Sequence, residues 1–364
     1  MVVMQSVLKR DLDHILARTP QVWEDLRGER LFITGGTGFV GCWLLESFAW
    51  ACDALELGAS ATVLTRDPEA FCDKAPHLAS HPAIGLHRGD ARSFQYPAGR
   101  YSTVIHAAAP SSSRLNEDDP AEMLDIVVGG TRRALDFAVA CGARRFLLTS
   151  SGAVYGKQPA DVSHLSEDFG GAPDTSDPRS AYAEGKRTAE LLGAIYHRRY
   201  GLETKIARGF AFLGPYLPLD VHFAAGNFIR DRLAGGPIRV SGDGTPYRSY
   251  LYAADMAIWL WTILTRGQSC HPYNVGSEVE TTIRELAIAV AGSAVAVHLG
   301  REPVPGQPAE RYVPSTKRAA AELGLSQVIP LAEAIERTLD WHRQASSREA
   351  ALIASGEKGR TLNE

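Results

Sequence analysis

The fold is decided by residues 31–41, which read LFITGGTGFVG. A short apolar run typical of a β-strand leads into glycines spaced G-x-x-G-x-x-G, and an apolar helical segment follows. In such a loop the first glycine permits a tight turn, the second lets backbone N–H groups approach a pyrophosphate at a helix N-terminus, and the third lets helix and strand pack closely. A plain glycine-rich turn is the alternative. We predict a dinucleotide-binding loop formed by Gly35, Thr37, Gly38, Phe39, Val40 and Gly41.

Beyond this loop, short apolar or β-branched runs alternate with longer helical segments. The runs predicted as strands are residues 31–34, 61–64, 103–106, 146–149 and 204–207. Strand–helix–strand spacing of this kind predicts parallel strands joined by right-handed crossovers. The sequence therefore predicts an α/β fold with a doubly wound parallel sheet.

The rest of the chain divides by composition. After residue 208 the alternation breaks into loops rich in glycine and proline, which predicts a smaller C-terminal lobe that closes over the sheet. The predicted units are an N-terminal helical extension at 1–28, a dinucleotide-binding domain at 29–208 with later returns near 250–276, a mainly substrate-binding lobe at 209–346 and a flexible tail at 347–364.

Composition excludes several classes of protein. The 364 residues carry 38 basic and 42 acidic side chains, a net charge of −4, which gives no electrostatic reason to bind nucleic acid or an acidic membrane surface. The longest apolar stretch, residues 286–299, is too short to cross a bilayer. The five cysteines are scattered without a C-x-x-C pair, which is typical of reduced thiols and argues against a metal site. We therefore expect a cytoplasmic protein without metal, membrane or nucleic-acid partners.

The end of the second predicted strand bears on the choice of dinucleotide. Thr65 stands where a carboxylate that binds the ribose is usual. The guanidinium of the following Arg66 is suited to a 2′-phosphate, which favours NADP over NAD, although Asp67 keeps NAD open and an arginine that only faces solvent is the alternative. Further cofactor contacts are predicted at Asp90, Ala91, Ala107, Ala108 and Ala109. The alternatives are that Asp90 only caps a loop and that the alanines only pack against their neighbours.

A second motif supplies acid–base chemistry. Tyr182 and Lys186 are spaced i,i+4, which places a phenol and an ammonium on one helix face. The ammonium is expected to stabilise the phenolate and so to lower the tyrosine pKa toward the range of a general base. Ser151 follows a predicted strand, where doubly wound sheets bind ligands, and its hydroxyl can hydrogen-bond a reacting oxygen. Singly, these residues would be a surface ion pair and a turn serine; together they predict a catalytic centre.

Further segments complete a pattern with these motifs. They are residues 151–156, Arg208 with Gly214-Pro215, residues 242–244 with Arg248, and residues 273–276. With them the chain resembles, over residues 29–345, the extended short-chain dehydrogenase/reductase family, and specifically its nucleotide-sugar epimerase/dehydratase branch. The resemblance implies a Rossmann domain that binds NAD(P) and a small C-terminal lobe that binds a nucleoside diphosphate sugar.

The resemblance also assigns roles to single residues. It implies that Tyr182 is the base, that Lys186 anchors the nicotinamide ribose and tunes Tyr182, and that Ser151 assists proton transfer. It implies that Arg248 pairs with the substrate pyrophosphate, as a guanidinium is well suited to do. A salt bridge from Arg248 to a nearby aspartate, Asp243 or Asp255, is the alternative.

Additional contacts and a partner subunit are expected from the same resemblance. Ser111 and Asn227 are predicted to bind substrate, and His222 is weighed beside Asn227 as a contact in the covering loop, with loop capping as the alternative. A homodimer is expected through helices near 120–140 and 181–200, although their apolar side chains fit a buried intramolecular face equally well. These side chains are Leu135, Phe137, Ala138, Ala189, Leu191, Leu192 and Ile195.

Several positions depart from the family pattern. At positions 152 and 153 the dehydratases of the family have an acidic pair, and the decarboxylases have a glutamate in the same loop, whereas this chain has Gly152 and Ala153. At two other positions, Val127 and Ala211 stand where the family commonly has asparagines. Without a carboxyl group, dehydration and decarboxylation lose an acid–base group. We therefore expect an NDP-sugar epimerase that acts through a transient 4-keto intermediate. The alternatives are an NADPH-dependent 4-keto-sugar reductase, a dehydratase or decarboxylase, and a non-catalytic NAD(P)-binding regulator.

Overall fold

The predicted alternation of strands and helices is present in the protein. The computed structural model describes residues 2–110, 113–221 and 223–354. The helices are α1 Val2–Arg18, α2 Pro20–Asp25, α3 Phe39–Leu55, α4 Pro68–Lys74, α5 Pro76–Ala79, α6 Ser113–Asp118, α7 Pro120–Ala140, α8 Ala181–Tyr200, α9 Ala224–Leu233, α10 Ala253–Arg266, α11 Ile283–Ala291, α12 Lys317–Leu323 and α13 Leu331–Ala354. The strands are β1 Arg30–Thr34, β2 Ser60–Thr65, β3 Ile84–Arg88, β4 Thr103–His106, β5 Arg145–Ser151, β6 Glu203–Gly209, β7 Phe212–Leu213, β8 Ile238–Val240, β9 Tyr247–Arg248, β10 Leu251–Tyr252, β11 Pro272–Val275, β12 Thr281–Thr282, β13 Val297–Leu299 and β14 Arg311–Tyr312.

A seven-stranded parallel sheet forms the centre of the fold, in the order β11-β6-β5-β4-β1-β2-β3. The strands β2 and β3 follow β1 on one side, and β5, β6 and β11 follow β4 on the other side. The direction in which successive strands are added therefore reverses between β1 and β4. Thr34 of β1 lies beside His106 of β4, and the segments that follow these residues leave the sheet side by side. Ligands bind at such a switch point, outside the carboxyl ends of the strands. The predicted doubly wound sheet is confirmed.

Helices cover both faces of this sheet, which explains why its strands are almost continuously apolar. Leu31 and Ile33 of β1 pack on the side of α3 and α10, whereas Phe32 packs on the side of α7 and α8. All three side chains are fully buried. The central sheet is therefore a rigid platform for the loops at its carboxyl edge.

Short strands from the C-terminal part of the chain form separate small sheets. One has the order β12-β9-β14, and another pairs β13 with β8. The strand β11 instead returns to the central sheet beside β6, within the expected return near residues 250–276. The boundaries of the predicted substrate-binding lobe stay a prediction.

The N-terminal helices α1 and α2 are part of the main core. Leu12 and Trp23 are buried, and the Trp23 ring lies 5.3 Å from that of Trp261 in α10. Asp11 accepts a hydrogen bond of 2.6 Å from Tyr252. The expected extension at 1–28 is helical and packs into the domain. At the other end, α13 continues to Ala354, so the start of the expected flexible tail is helical, and residues 355–364 lie outside the described residues.

The helices α7 and α8 pack tightly against each other. Among the apolar side chains weighed for a dimer, Leu191 and Ile195 are 61% and 46% exposed. The others are buried within the chain, as the intramolecular alternative predicts; they are Leu135, Phe137, Ala138, Ala189 and Leu192. A homodimer therefore stays a prediction that depends on the two exposed side chains.

Two properties bear on membranes and metals. Across the described ranges, none of the helices combines the length and the apolar character needed to span a bilayer. In those same ranges, no cluster of three or more His, Cys, Asp or Glu side chains is arranged to hold a metal ion.

Candidate active site

The glycine loop between β1 and α3 has the close approaches that its spacing predicts. Gly35 has a φ of 73°, and a Cβ on it would lie 2.5 Å from the backbone of Ala107. A Cβ on Gly41 would lie 2.3 Å from the Gly35 carbonyl oxygen. Gly38 is the N-cap of α3, and no side chain caps this helix. A tight loop that leads into an uncapped helix N-terminus fits the pyrophosphate of a dinucleotide.

The remaining predicted residues of the loop lie around the same turn. The Thr37 carbonyl oxygen accepts a 2.8 Å hydrogen bond from Lys74. The Phe39 ring lies 6.5 Å from the ring of Phe212, and Val40 packs against the core. These contacts hold the first turn of α3 against the rest of the domain.

The polar residues predicted near the cofactor, at the ends of β2 and β3, differ in whether they have hydrogen-bond partners within the protein. Arg66 is exposed, which suits either a phosphate partner or solvent. Asp67 caps α4 by accepting a hydrogen bond from the Ala70 N–H, so its carboxylate already has a partner. Asp90 accepts hydrogen bonds from the backbone and side chain of Arg92, as the loop-capping alternative predicts.

The alanines predicted to make room for the cofactor lie on two sides of the switch point. The Ala107 and Ala108 N–H groups donate to the backbone and side chain of Thr34, so the segment 107–109 runs beside the glycine loop. Ala91 instead faces α7, where a Cβ on Gly130 would lie 3.5 Å from its side chain. The structure thus brings Ala107 and Ala108 to the loop and gives Ala91 a packing contact, and the cofactor contacts of these alanines stay predictions.

The catalytic residues predicted from the sequence meet at the carboxyl edge of β5. Ser151 is the last residue of β5, and its hydroxyl accepts a 3.1 Å hydrogen bond from the Ala153 N–H. Tyr182 lies in the first turn of α8, and the Lys186 ammonium lies 5.8 Å from the centre of its ring. Lys186 donates a 2.7 Å hydrogen bond to the Thr149 carbonyl of β5. These contacts bring phenol, hydroxyl and ammonium together.

The pKa of the phenol differs from the sequence expectation. Burial raises the pKa of Tyr182, and hydrogen bonding with Ser151 opposes that shift. Burial lowers the pKa of Lys186 to about 8, and Glu190 opposes this change. The raised pKa of Tyr182 is opposite in direction to the lowering that the sequence analysis expects from the ammonium. The ammonium lies over the ring and donates to a backbone carbonyl, so it does not offset the burial of the phenol.

A buried histidine that the sequence analysis missed supports this centre. His106, at the end of β4, lies within hydrogen-bond distance of Thr34 (2.8 Å) and Thr131 (3.2 Å). Burial and, to a smaller extent, the Lys186 ammonium lower the pKa of His106 to about 3. The ring is therefore neutral at physiological pH and connects β1, β4 and α7 beside the cofactor loop. It lies in an apolar strand that carries no distinctive motif.

A buried ion pair lies behind the catalytic residues. Arg208 contacts Glu190 through two hydrogen bonds of 2.7 and 3.0 Å, and Ser150 donates to the same carboxylate. Arg208 also donates to the Tyr155 hydroxyl, which donates to Asn274 of β11. The network joins α8 to β5, β6 and β11. The family-like positions Arg208, Tyr155 and Asn274 therefore serve to hold the strand and helix that carry the catalytic residues.

Replacing Glu190 by glutamine is expected to lower the free energy of unfolding by about 3 kcal/mol, because the buried Arg208 charge loses its partner. The two side chains are 12% and 14% exposed. Glu184→Gln on the same helix is the matched control, since its 3.5 Å contact with Arg187 is largely at the surface and is expected to contribute less than about 1 kcal/mol. Urea unfolding followed by circular dichroism measures both. Equal losses for the two variants would contradict the structural role of the buried pair.

Arg248 of β9 lies at a cavity of about 320 Å³ next to the catalytic edge. Its guanidinium donates to the Tyr247 carbonyl and lies 3.8 Å from Glu310. Among the described residues it forms no ion pair with an aspartate, and its role in binding a phosphate stays a prediction. The cavity is lined by Gly156, Lys157, Gln158, Arg248, Glu310, Arg311 and Tyr312.

The other substrate contacts expected from the sequence have mixed outcomes. Asn227 lies in α9, where its side chain accepts a hydrogen bond from Arg230. Ser111 and His222 lie outside the described residues. Val127 packs against α8, where a Cβ on Gly185 would lie 3.1 Å from its side chain. The role of Asn227 as a substrate contact stays a prediction.

Tyr312 of β14 belongs to the same centre and was missed. Its hydroxyl lies 2.6 Å from where a Cβ on Gly152 would stand, and its pKa responds to hydrogen bonding with Ser151. The sequence pointed to this position only through Gly152. A glycine there indicates that a side chain at position 152 would be too large, and it does not indicate which residue lies next to it.

Comparisons with known proteins agree with this geometry. The sequence profile of the NAD dependent epimerase/dehydratase family matches residues 31–276. UDP-glucuronic acid decarboxylase 1 of Arabidopsis thaliana is 34% identical over 71% of this chain and 57% of its own length. UDP-glucuronic acid decarboxylase 6 of the same plant is also 34% identical, over 71% of this chain and 72% of its own.

A solved structure gives the same result for the fold. It is dTDP-glucose 4,6-dehydratase from Streptomyces venezuelae with NAD and TYD bound, which is 26% identical and superposes with a TM-score of 0.71 over 86% of this chain and 97% of the dehydratase. A family profile that covers most of the chain, together with these relatives, confirms the resemblance to extended short-chain dehydrogenases/reductases. The chain therefore belongs to the NAD dependent epimerase/dehydratase family.

Proposed function

We propose that this protein oxidises one carbinol of a nucleoside diphosphate sugar to a ketone and reduces the product again within one catalytic cycle. The observation that carries the proposal is the meeting of Ser151, Tyr182 and Lys186 beside the glycine loop at the carboxyl edge of the sheet. Bound at that loop, NAD(P) would accept a hydride from the sugar carbon and return it.

The chain's own residues would manage the proton. Tyr182 first releases its own proton to solvent, and its phenolate then takes the proton of the sugar hydroxyl as the carbon loses its hydride and gives that proton back on reduction. Ser151, which hydrogen-bonds this phenol, holds the same substrate oxygen. Lys186 is positively charged below a pH of about 8, given its lowered pKa, and its hydrogen bond to the Thr149 carbonyl holds α8 against β5 beside the phenol. Arg248 would hold a phosphate in the adjoining cavity.

The first candidate reaction is decarboxylation of UDP-glucuronic acid. Relatives that carry this activity in their names are 34% identical to the chain, and this favours decarboxylation over the epimerisation that the sequence analysis expected. Oxidation next to the carbon that bears the carboxylate makes a β-keto acid, and its ketone accepts the electron pair when carbon dioxide leaves. Bond cleavage therefore needs no enzyme carboxylate, whereas removal of water from a sugar that carries a 6-hydroxyl needs an acid–base group that Gly152 and Ala153 lack.

The second candidate is the epimerisation that the sequence analysis placed first. The related reduction of a 4-keto-sugar belongs with it. The lack of a carboxyl group at residues 152 and 153 favours it, because these reactions need only hydride transfer and one proton carrier.

Incubation of the purified protein with UDP-glucuronic acid, followed by mass spectrometry of the nucleotide sugar, separates these candidates. Decarboxylation gives a product lighter by carbon dioxide and needs no added reductant. Epimerisation gives an unchanged mass with a new chromatographic position, and a reductase leaves this sugar untouched but consumes NADPH with a 4-keto-sugar. Recovery of unaltered UDP-glucuronic acid after prolonged incubation would contradict the first candidate.

The preference between NAD and NADP is proposed to depend on Arg66. Its exposed guanidinium has the chemistry to pair with a 2′-phosphate, while the family name and the NAD bound in the dehydratase relative support NAD. Arg66→Ser is expected to weaken NADP binding about tenfold and to leave NAD binding unchanged, as one charge-assisted phosphate contact is lost. Fluorescence titration measures both affinities. Arg239→Ser, on β8 in a separate small sheet, is the matched control because its side chain is also exposed, and an equal effect of both substitutions would contradict the assignment.

A further inference from the structure

Tyr312 occupies the space of the side chain that residue 152 lacks. Its ring packs against Phe210, with ring centres 4.7 Å apart, which directs the hydroxyl toward β5. A Cβ on Gly152 would lie 2.6 Å from this hydroxyl and 2.7 Å from the Phe210 ring. A side chain at residue 152 and the phenol of Tyr312 therefore exclude each other. The glycine is the condition for the tyrosine's position.

The Tyr312 hydroxyl lies next to the segment that carries Ser151, because a Cβ on the following residue, Gly152, would be 2.6 Å from it. Hydrogen bonding with Ser151 also acts on the pKa of both Tyr182 and Tyr312. Tyr312 also lines the cavity that contains Arg248, its neighbour across the paired strands β14 and β9. A sugar that extends from a phosphate at Arg248 toward Tyr182 would pass the Tyr312 hydroxyl.

The phenol of Tyr312 carries a proton at neutral pH. Burial raises the pKa of Tyr312, and hydrogen bonding with Ser151 only partly opposes this. A phenol with a raised pKa keeps its proton at neutral pH, whereas an unperturbed carboxyl group at the same place would be ionised. The site thus holds two phenols whose pKa is raised by burial, Tyr182 beside the lysine and Tyr312 beside residue 152.

We propose that Tyr312 is a further catalytic residue, whose phenol replaces the carboxyl group absent from residues 152 and 153 and protonates the sugar carbon next to the ketone. The inference rests on the proposed decarboxylation. When the bond to the carboxylate breaks, its electron pair moves into the adjacent ketone and carbon dioxide leaves as an enolate forms. The Tyr312 O–H bond then breaks, its proton forms the new C–H bond, and the enolate electrons return to the carbon. Solvent, through Ser151, restores the phenol.

Tyr312→Phe tests this role, because it removes the hydroxyl and keeps the ring on Phe210. Single-turnover reactions with UDP-glucuronic acid in D₂O give two rates, the absorbance rise of reduced nicotinamide and the formation of the UDP-pentose. The variant is expected to keep the first rate and to lose about a hundredfold in the second, as for a removed general acid. NMR is expected to show deuterium on one face of the new carbon centre in the parent protein and on both faces in the variant.

The controls separate chemistry from structure. Tyr247→Phe removes a hydroxyl from the same small sheet, where the ring contacts Arg311 and not the serine, and is expected to behave like the parent protein. Gly152→Ser, which displaces the phenol, is expected to repeat the loss seen with Tyr312→Phe. Calorimetric affinity for UDP and the melting temperature are expected to stay unchanged in Tyr312→Phe.

Each other outcome overturns the proposal. If the parent protein converts UDP-glucuronic acid and Tyr312→Phe matches it in rate and in deuterium stereochemistry, the phenol is not the proton donor although the proposed function stands. If the variant loses both rates equally or loses UDP affinity, Tyr312 only shapes the pocket. If the parent protein does not convert UDP-glucuronic acid, the proposed reaction fails, and this role fails with it.

Discussion

Tyr182→Phe is expected to lower kcat about a thousandfold while nucleotide binding persists. The phenol lies near both Ser151 and Lys186, and its loss leaves the reacting oxygen without its proposed proton carrier. General acid–base groups contribute about a hundredfold to ten-thousandfold, and here one group serves both the oxidation and the return step. Product formation from UDP-glucuronic acid measures the effect, and fluorescence titration with NAD measures binding.

Tyr200→Phe is the matched control for that substitution. Tyr200 ends the same helix, α8, and its 47% exposed ring packs on Tyr196, away from the catalytic edge. Its removal is expected to leave kcat unchanged. A Tyr182→Phe protein with unaltered turnover, alongside unaltered nucleotide binding, would refute an acid–base role for Tyr182.

Gly41→Ala is expected to weaken NAD binding by about tenfold to a hundredfold and to lower the melting temperature. The added Cβ would stand 2.3 Å from the Gly35 carbonyl oxygen, so the loop must move away from α3. Overpacking of this kind costs about 1–3 kcal/mol, which corresponds to that loss if the displaced loop binds correspondingly less well. The steric cost exceeds the gain of about 1 kcal/mol that alanine normally brings to a helix.

Gly129→Ala on α7 separates the steric effect from helix propensity. A Cβ there would meet the Arg92 side chain only at 3.6 Å, an ordinary contact. This control is expected to bind NAD normally and to melt at the same or a slightly higher temperature. Differential scanning fluorimetry and fluorescence titration measure both variants. Normal NAD binding by Gly41→Ala would show that the loop does not need its close contact with the helix.

The parts of the fold that sequence reasoning predicted correctly are those set by local patterns. The glycine loop, the strands around it and the i,i+4 pair of Tyr182 and Lys186 each depend on neighbours within about one helix or strand. Burial depends on the assembled protein, so the raised pKa of Tyr182 was not foreseen. The packing of Trp23 on Trp261 was not predicted for the same reason.

The catalytic edge was only partly predictable. Ser151 follows a strand whose carboxyl end could be located, and general rules place ligands at that edge. Tyr312 reaches the same edge from a two-residue strand in a small sheet, and no periodicity or spacing connects it with residue 152. Relatives indicated only that an acidic group was missing. The replacement became visible once the distance from its hydroxyl to the Gly152 backbone was known.

The mutual exclusion between residue 152 and Tyr312 constrains the order in which substitutions can accumulate. A laboratory-evolution library that introduces aspartate at position 152 alone meets an occupied volume, and selection would discard it before any new acid–base chemistry is expressed. If Tyr312 and Phe210 are first replaced by smaller residues, aspartate at position 152 has the space that it needs. Epistasis of this kind makes paired libraries at these positions the productive design for converting the enzyme toward dehydration.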